Sequence, residues 1–202
     1  MTAPTEDRRI QRTRSALRSA LISLIMERGY EAITIQEIID RANVGRSTFY
    51  AHYLDKHQLL LANLAELRAM LTESQRATVQ TRGGLAQGRF AFSLGMLDHA
   101  GSHVPLYRAM VGKQSGVILQ REIEHILADL VRAELADSTK PDSRAAIPQE
   151  VLVQYVVSAF LGLLVWWIEA GMPCAAAEVD RMFQALTTPG VQAALSASGA
   201  RR

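Results

Sequence analysis

A chain of 202 residues with 49% hydrophobic side chains and a formal charge of only +2 has enough apolar material for a packed core, in one compact unit or two small helical ones. Its single cysteine, Cys174, excludes an internal disulfide framework and a cysteine-based zinc centre and fits a reducing cytoplasm. Charge is unevenly spread: Arg8, Arg9, Arg12, Arg14 and Arg18 stand together with no acid among them, whereas from His57 onward acids and bases balance at 13 each. A basic cluster ahead of a neutral body is the footprint of a phosphate-binding end.

Helical periodicity runs almost throughout, and no strand is predicted. Ile10, Leu17, Leu21, Leu24 and Ile25 share one stripe of a first helix. No apolar core of a signal peptide follows the charged start. Gly29 is placed to take the left-handed position that ends this helix, with Tyr30 folding back on Ile25 in a Schellman arrangement. Three helix starts with hydrophobic-staple spacing come next. Thr34 and Glu37 form a capping box between Ile33 and Ile38. Gly45 is an N-cap between Val44 and Phe49. Asp55 pairs with Gln58 between Leu54 and Leu59. Residues 34–53 therefore read as helix, turn and short helix, followed by a long helix from Asp55 toward Arg82.

Gly83-Gly84 breaks that helix, and further helices are expected over 85–100, 104–114 and 115–137. A loop rich in Ser, Pro and Asp leads to a strongly apolar helix over 149–170, which Gly171-Met172-Pro173 ends. Its longest apolar run, Tyr155 to Ile168, has 14 residues, short of the ~20 that span a bilayer, so a buried core helix rather than a membrane segment is expected. Val179, Met182, Phe183 and Leu186 give the stripe of a last helix. Beyond Pro189 a flexible tail is expected, so the predicted organisation is 8–56, 57–188 and a tail over 189–202.

Two short helices joined by Asn43-Val44-Gly45 match a helix-turn-helix. Asn43 tolerates a left-handed backbone. Ile35, Ile38, Ala42, Val44 and Phe49 supply the internal core, which leaves Arg46, Ser47, Tyr50 and His52 on or near the outer side of the second helix. Such side chains can donate to base edges and phosphates in a major groove. The segment ERGYEAITIQEIIDRANVGRSTFYAHYLDKHQLL, Glu27 to Leu60, strongly resembles the TetR family of regulators. The resemblance implies that Arg46, Ser47 and His52 face the groove and that Thr34, Tyr50 and Lys56 hold phosphates. Lys56 stands in the first turn of the next helix, where the helix dipole disfavours a cation and a phosphate partner would account for one. The family usually has Gly at the position of Asn43, Ser at that of Gly45, and often an aromatic residue at that of Ala51. Gly45 thus brings no side-chain cap or hydroxyl contact.

A reader of one half-site needs a partner. The helix 149–170 is apolar almost all round, which predicts a second cover in addition to the chain's own core. A homodimer seam is expected from Leu152, Val156, Leu163 and Trp167 on that helix and from Val179, Met182, Phe183 and Leu186 on the last. The stretch LLVWWIEAGMPC, Leu163 to Cys174, resembles a TetR subgroup similar to the dihydroxyacetone-kinase activator, although Ala175-Ala176 replaces a common Ser-Pro.

An effector pocket for a small apolar or amphipathic molecule is expected among the middle helices. Its apolar lining would come from Phe90, Met96, Leu97, Tyr107, Met110 and Trp166. Polar anchors would be His99, His103, Gln114 and His125. His99 and His103 stand four apart, as a metal pair on a helix would, but Gly101 lies between them and no third ligand is near, so no metal or cofactor is expected. There is no nucleophile elbow, Walker loop, His-Glu-x-x-His or dinucleotide fingerprint, so no catalytic residue and no enzyme is expected. The fold class expected is all-α: a three-helix DNA-binding domain and a helical effector-binding and dimerisation domain, about nine helices, in a cytoplasmic repressor that binds double-stranded operator DNA.

Overall fold

The computed structural model describes residues 4–81, 90–111, 117–138 and 147–196. Among these residues there are nine α-helices and no strand: α1 Pro4–Arg28, α2 Ile35–Ala42, α3 Arg46–Tyr50, α4 Lys56–Thr81, α5 Phe92–Ser102, α6 Val104–Val111, α7 Val117–Ser138, α8 Gln149–Glu169 and α9 Ala176–Ser196. The chain divides into two compact units, one of residues 1–67 with 105–122 and the other of 68–104 with 123–202.

In the first unit the local signals act as read. Gly29 is left-handed (φ +81°) as expected, but its N–H donates to the Ile25 carbonyl at 2.9 Å, so α1 closes with the single-bond αL ending rather than the expected Schellman arrangement. Thr34 and Glu37 complete the capping box, with Glu37 N–H donating to Thr34 Oγ1 at 3.3 Å and Thr34 N–H to Glu37 Oε2 at 2.8 Å. Asn43 is left-handed at φ +52°, as the turn requires. Leu17, Leu21, Leu24, Ile38, Phe49, Leu59 and Leu60 are sealed from solvent and form the core on which α1 to α4 pack. Ion pairs tie α1 to α2, Arg28 to Glu37 at 2.8 Å and Arg41 to Glu27 through two bonds of 2.6 and 2.8 Å. One staple fails. Leu54 is 75% exposed and does not cover Leu59, and its N–H donates instead to Gln58 Oε1 at 2.6 Å while Asp55 Oδ1 caps Gln58 N–H at 2.7 Å.

The second unit is built on an aromatic cluster. Phe92, Phe160 and Phe183 meet edge to face at 5.2 to 6.4 Å, with Phe90 against Phe92 and Phe183. α5 starts at Phe92, later than expected, and its entry is held by side chains. Phe90 is left-handed (φ +57°) with its N–H donating to both Glu134 oxygens at 2.9 Å. Buried Ser93 meets Asp180 and accepts from Gln184 at 3.1 Å.

α8 has 21 residues and is long and apolar enough, by length and composition alone, to cross a membrane. What marks it as a core helix is its buried face, Leu152, Val153, Val156, Val157, Phe160 and Leu164, continued by Trp167 and Ile168. α9 passes through Pro189 to Ser196 rather than fraying there. Pro189 and Ala185 are both exposed, so the carbonyl deprived of its helical partner faces water, while Val191 beyond is fully buried and anchors the last turn.

Candidate nucleic-acid interface

α3 is short and held from beneath. Phe49 is completely buried, Tyr53 nearly so, and their rings lie 6.1 Å apart. Gly45 caps α3 in extended conformation without a side-chain bond, as its lack of a hydroxyl dictates. With the inner side occupied, Arg46, Ser47 and Tyr50 are exposed and His52 is half-buried. Tyr50 touches Phe49 edge-on at 5.4 Å and remains 46% exposed. Thr34 is exposed but its hydroxyl serves the capping box. Upstream on α1, Arg8, Arg9, Arg12 and Arg14 are exposed, whereas Arg18 pairs with Glu66. Four cations and a short polar helix face are the components that phosphate and base-edge recognition need.

Lys56 is placed differently from expectation. Its Nζ donates to the carbonyls of Tyr30, Glu31 and Ile33 at 3.1, 3.2 and 2.8 Å and sits 4.6 Å above the Tyr30 ring. An ammonium has three donors, and all three are spent on the turn between α1 and α2. In the first turn of α4 this cation neutralises carbonyls of the turn between α1 and α2. Burial holds its pKa below the usual lysine value, against the pull of Glu31 and Glu37.

The C-terminal expectations are redistributed. Phe90 and Met96 are fully buried core, Leu97 likewise, because aromatic and long apolar side chains at helical spacing fill the interior first. Tyr107 is buried and its phenol pKa is pushed up by that burial. His99 is half-buried, and burial, reinforced by His103, pushes its pKa down to about 4. His103, His125 and Trp166 are exposed rather than lining an interior site. The Met110 side chain and Gln114 lie outside the described residues, as does the Gly83-Gly84 break. No group of three or more potential metal ligands occurs among the described residues.

The seam expected on α8 and α9 is also corrected. Leu152, Val156, Trp167, Val179 and Phe183 are buried within the chain, and a side chain already covered cannot be the face shown to a partner. Leu163 is half-buried; only Met182 and Leu186 of the expected set are exposed. The two tryptophans exchange roles. Trp167 is buried with Nε1 donating to the Cys174 carbonyl at 2.9 Å, and Trp166 is turned outward. Among the residues left exposed instead are Val151, Tyr155, Gly162 and Trp166 on α8, and Met182 and Leu186 on α9. Their signal was present as spacings of four and seven, but an apolar helix offers several such stripes.

Comparison with known proteins completes the picture. Residues 17–62 match the bacterial regulatory proteins of the tetR family, and residues 90–189 match a transcriptional regulator C-terminal region. An uncharacterized HTH-type transcriptional regulator of Bacillus subtilis is 27% identical over 169 residues; the match covers 82% of this chain and 42% of that relative's length. The crystal structure of a TetR transcriptional regulator from Streptococcus agalactiae is 29% identical with a TM-score of 0.64, over 92% of this chain and 99% of that one. The dihydroxyacetone kinase operon activator DhaS, at 13% identity and a TM-score of 0.51 over 87% of this chain and 96% of its own, shares the fold alone.

Proposed function

Since the chain belongs to the TetR family of bacterial regulatory proteins, we propose that it is a dimeric repressor that binds operator DNA through α3 and is released by a small-molecule effector. The observation that carries the reading is the division of α3: Phe49 sealed into the core, and Arg46, Ser47 and Tyr50 presented outward from the opposite side. Arg46 and Ser47 are suited to base edges, Tyr50 and the exposed arginines of α1 to phosphates, and His52 and Thr34 to the rim. Lys56 contributes by shaping the turn beneath Thr34, with its charge acting on phosphates only from a distance.

Dimerisation is supported by the outward stripe Val151, Tyr155, Gly162 and Trp166 with Met182 and Leu186, apolar surface of the kind that marks an interface. A second copy would set two reading helices about 34–36 Å apart, one turn of duplex. Release by an effector is supported by α4, a continuous helix of 26 residues that starts at Lys56, after a connection of only five residues from the reading helix.

The test is binding to duplex DNA from upstream of the protein's own coding region, measured by fluorescence anisotropy with wild type and Arg46→Ala at several salt concentrations. Affinity should fall steeply with salt and be lower for the variant. Equal affinity of the two proteins for that DNA and for unrelated duplex would refute the assignment of α3.

A further inference from the structure

The arginine-bearing end of α1 is not packed. From Arg8 to Ala16 no residue is buried, and the first side chain of the helix sealed into the core is Leu17. Arg8, Arg9, Arg12 and Arg14 therefore ride on an overhang, whose direction is set by how residues 17–28 are seated. At a rise of about 1.5 Å per residue, Arg12 stands about 22 Å along the axis from Glu27. A tilt of about 5° at Glu27 would carry Arg12 sideways by about 2 Å, more than a hydrogen bond tolerates.

The seat is made of two kinds of contact. Leu17, Leu21 and Leu24 are buried in the core, and apolar contact is non-directional: it fixes separation better than rotation. Direction comes from the polar side. Arg41 of α2 grips Glu27 of α1 through two parallel bonds, Nη1 to Oε1 at 2.6 Å and Nη2 to Oε2 at 2.8 Å. Its Nη1 also donates to Ser23 Oγ, one turn back on α1, at 2.7 Å. Arg28 of α1 crosses the other way to Glu37 of α2 at 2.8 Å, and the Thr34 N–H holds Glu37 from behind at 2.8 Å. A planar fork on a carboxylate fixes angle as well as distance. Two crossings of opposite polarity, one turn apart on α2, oppose both sliding and rolling of α1 past α2. All four charged side chains are partly exposed, where ion pairs contribute little to stability, so their main effect is geometric.

We propose that Glu27 and Arg41, seconded by Arg28 and Glu37, are positioning residues for DNA binding, a clamp that aims the arginines of α1 at phosphates beside the groove that α3 enters; this rests on the reading of α3 and the α1 arginines as the DNA-contacting surface. α3 follows α2 after only Asn43, Val44 and Gly45, so what orients α2 against α1 also orients α3. Charge alone predicts that losing an acid near a polyanion tightens binding. The clamp predicts that losing Glu27 weakens it.

The test is operator binding by fluorescence anisotropy across a salt series, comparing wild type, Arg46→Ala, Glu27→Gln and Asp40→Asn. Asp40 is an acid of the same helix as Arg41 whose carboxylate accepts from Gln36 at 2.8 Å, so its loss measures the effect of charge alone. Asp40→Asn should bind as tightly as wild type or more tightly. Glu27→Gln should bind more weakly, with log K against log salt shallower by about one unit or more as α1 phosphate contacts are lost. The exchanged pair Glu27→Arg/Arg41→Glu should recover the slope that the single change Arg41→Glu loses. Glu27 and Arg41 are exposed, and circular dichroism well below Tm should show unchanged helix content for each variant. Wild-type binding that responds to salt and to Arg46→Ala, together with Glu27→Gln matching Asp40→Asn in affinity and slope, overturns the clamp and leaves the reading helix standing. Wild-type binding indifferent to salt and to Arg46→Ala overturns both.

Discussion

Replacing Lys56 with methionine separates two roles that the same residue could play. The ammonium makes two part-buried bonds, to the Tyr30 and Ile33 carbonyls, and one exposed bond to Glu31. A hydrogen bond to a charged group contributes about 1.5 kcal/mol at the low end, so the two part-buried bonds amount to roughly 3 kcal/mol and the exposed one to little. The cation over the Tyr30 ring adds about 0.5 kcal/mol. Methionine keeps most of the apolar stem, so lost packing is minor. A loss of about 3 kcal/mol in a chain of this size lowers Tm by roughly 6–12 °C. The assay is thermal unfolding by circular dichroism, run beside operator binding across a salt series. The expected result is a much lower Tm and, below it, a salt slope equal to that of wild type. A Tm within a degree of wild type, with log K against log salt shallower by about one unit, would show that the ammonium serves a phosphate and refute the structural role.

Arg46→Ala should weaken operator binding by about 1–3 kcal/mol, with discrimination lost at one base position if the contact is to a base and a salt slope reduced by about one if it is to a phosphate. Trp166→Glu should convert a dimer to a single chain with its helical content intact, whereas Trp167→Ala should lower Tm through a core cavity and a lost bond to the Cys174 carbonyl; light scattering and thermal unfolding distinguish them. Thr34→Ala removes the cap of α2 and should cost about 1 kcal/mol, read from urea midpoints. Glu37 and Glu27 are held below the usual carboxylate range, Glu37 chiefly by the Thr34 N–H and Glu27 chiefly by Arg41. Their contribution is therefore complete above the unfolded value of 4.5 and disappears as pH falls below it. Glu27→Gln/Glu37→Gln should flatten the acid side of a Tm-against-pH series.

Much of this molecule was legible from local chemistry. The capping box at Thr34 and the left-handed residues Gly29 and Asn43 depend on residues within about one helical turn, and local bonds do not wait for the rest of the chain; the apolar spacing around Phe49 marks it for the core that α1 to α4 then close. The outward placement of Arg46, Ser47 and Tyr50 then follows, because an α3 with its apolar side sealed has only one side left. Even the run through Pro189 has a local trace, in that the carbonyl it deprives stands on the exposed side of α9.

What required the tertiary structure was every choice among equivalent surfaces. Lys56 reads as a cation poised for phosphate until three carbonyls from residues far back in the chain converge on it. Trp166 and Trp167 are adjacent and chemically identical, and only the approach of α5 at Gly101 and the position of the Cys174 carbonyl distinguish the inward ring from the one left to solvent. Periodicity states that a helix has an apolar face; on a helix apolar nearly all round it cannot say which face meets its own chain and which awaits another, since that is settled by the volume and shape of side chains contributed from elsewhere in the fold.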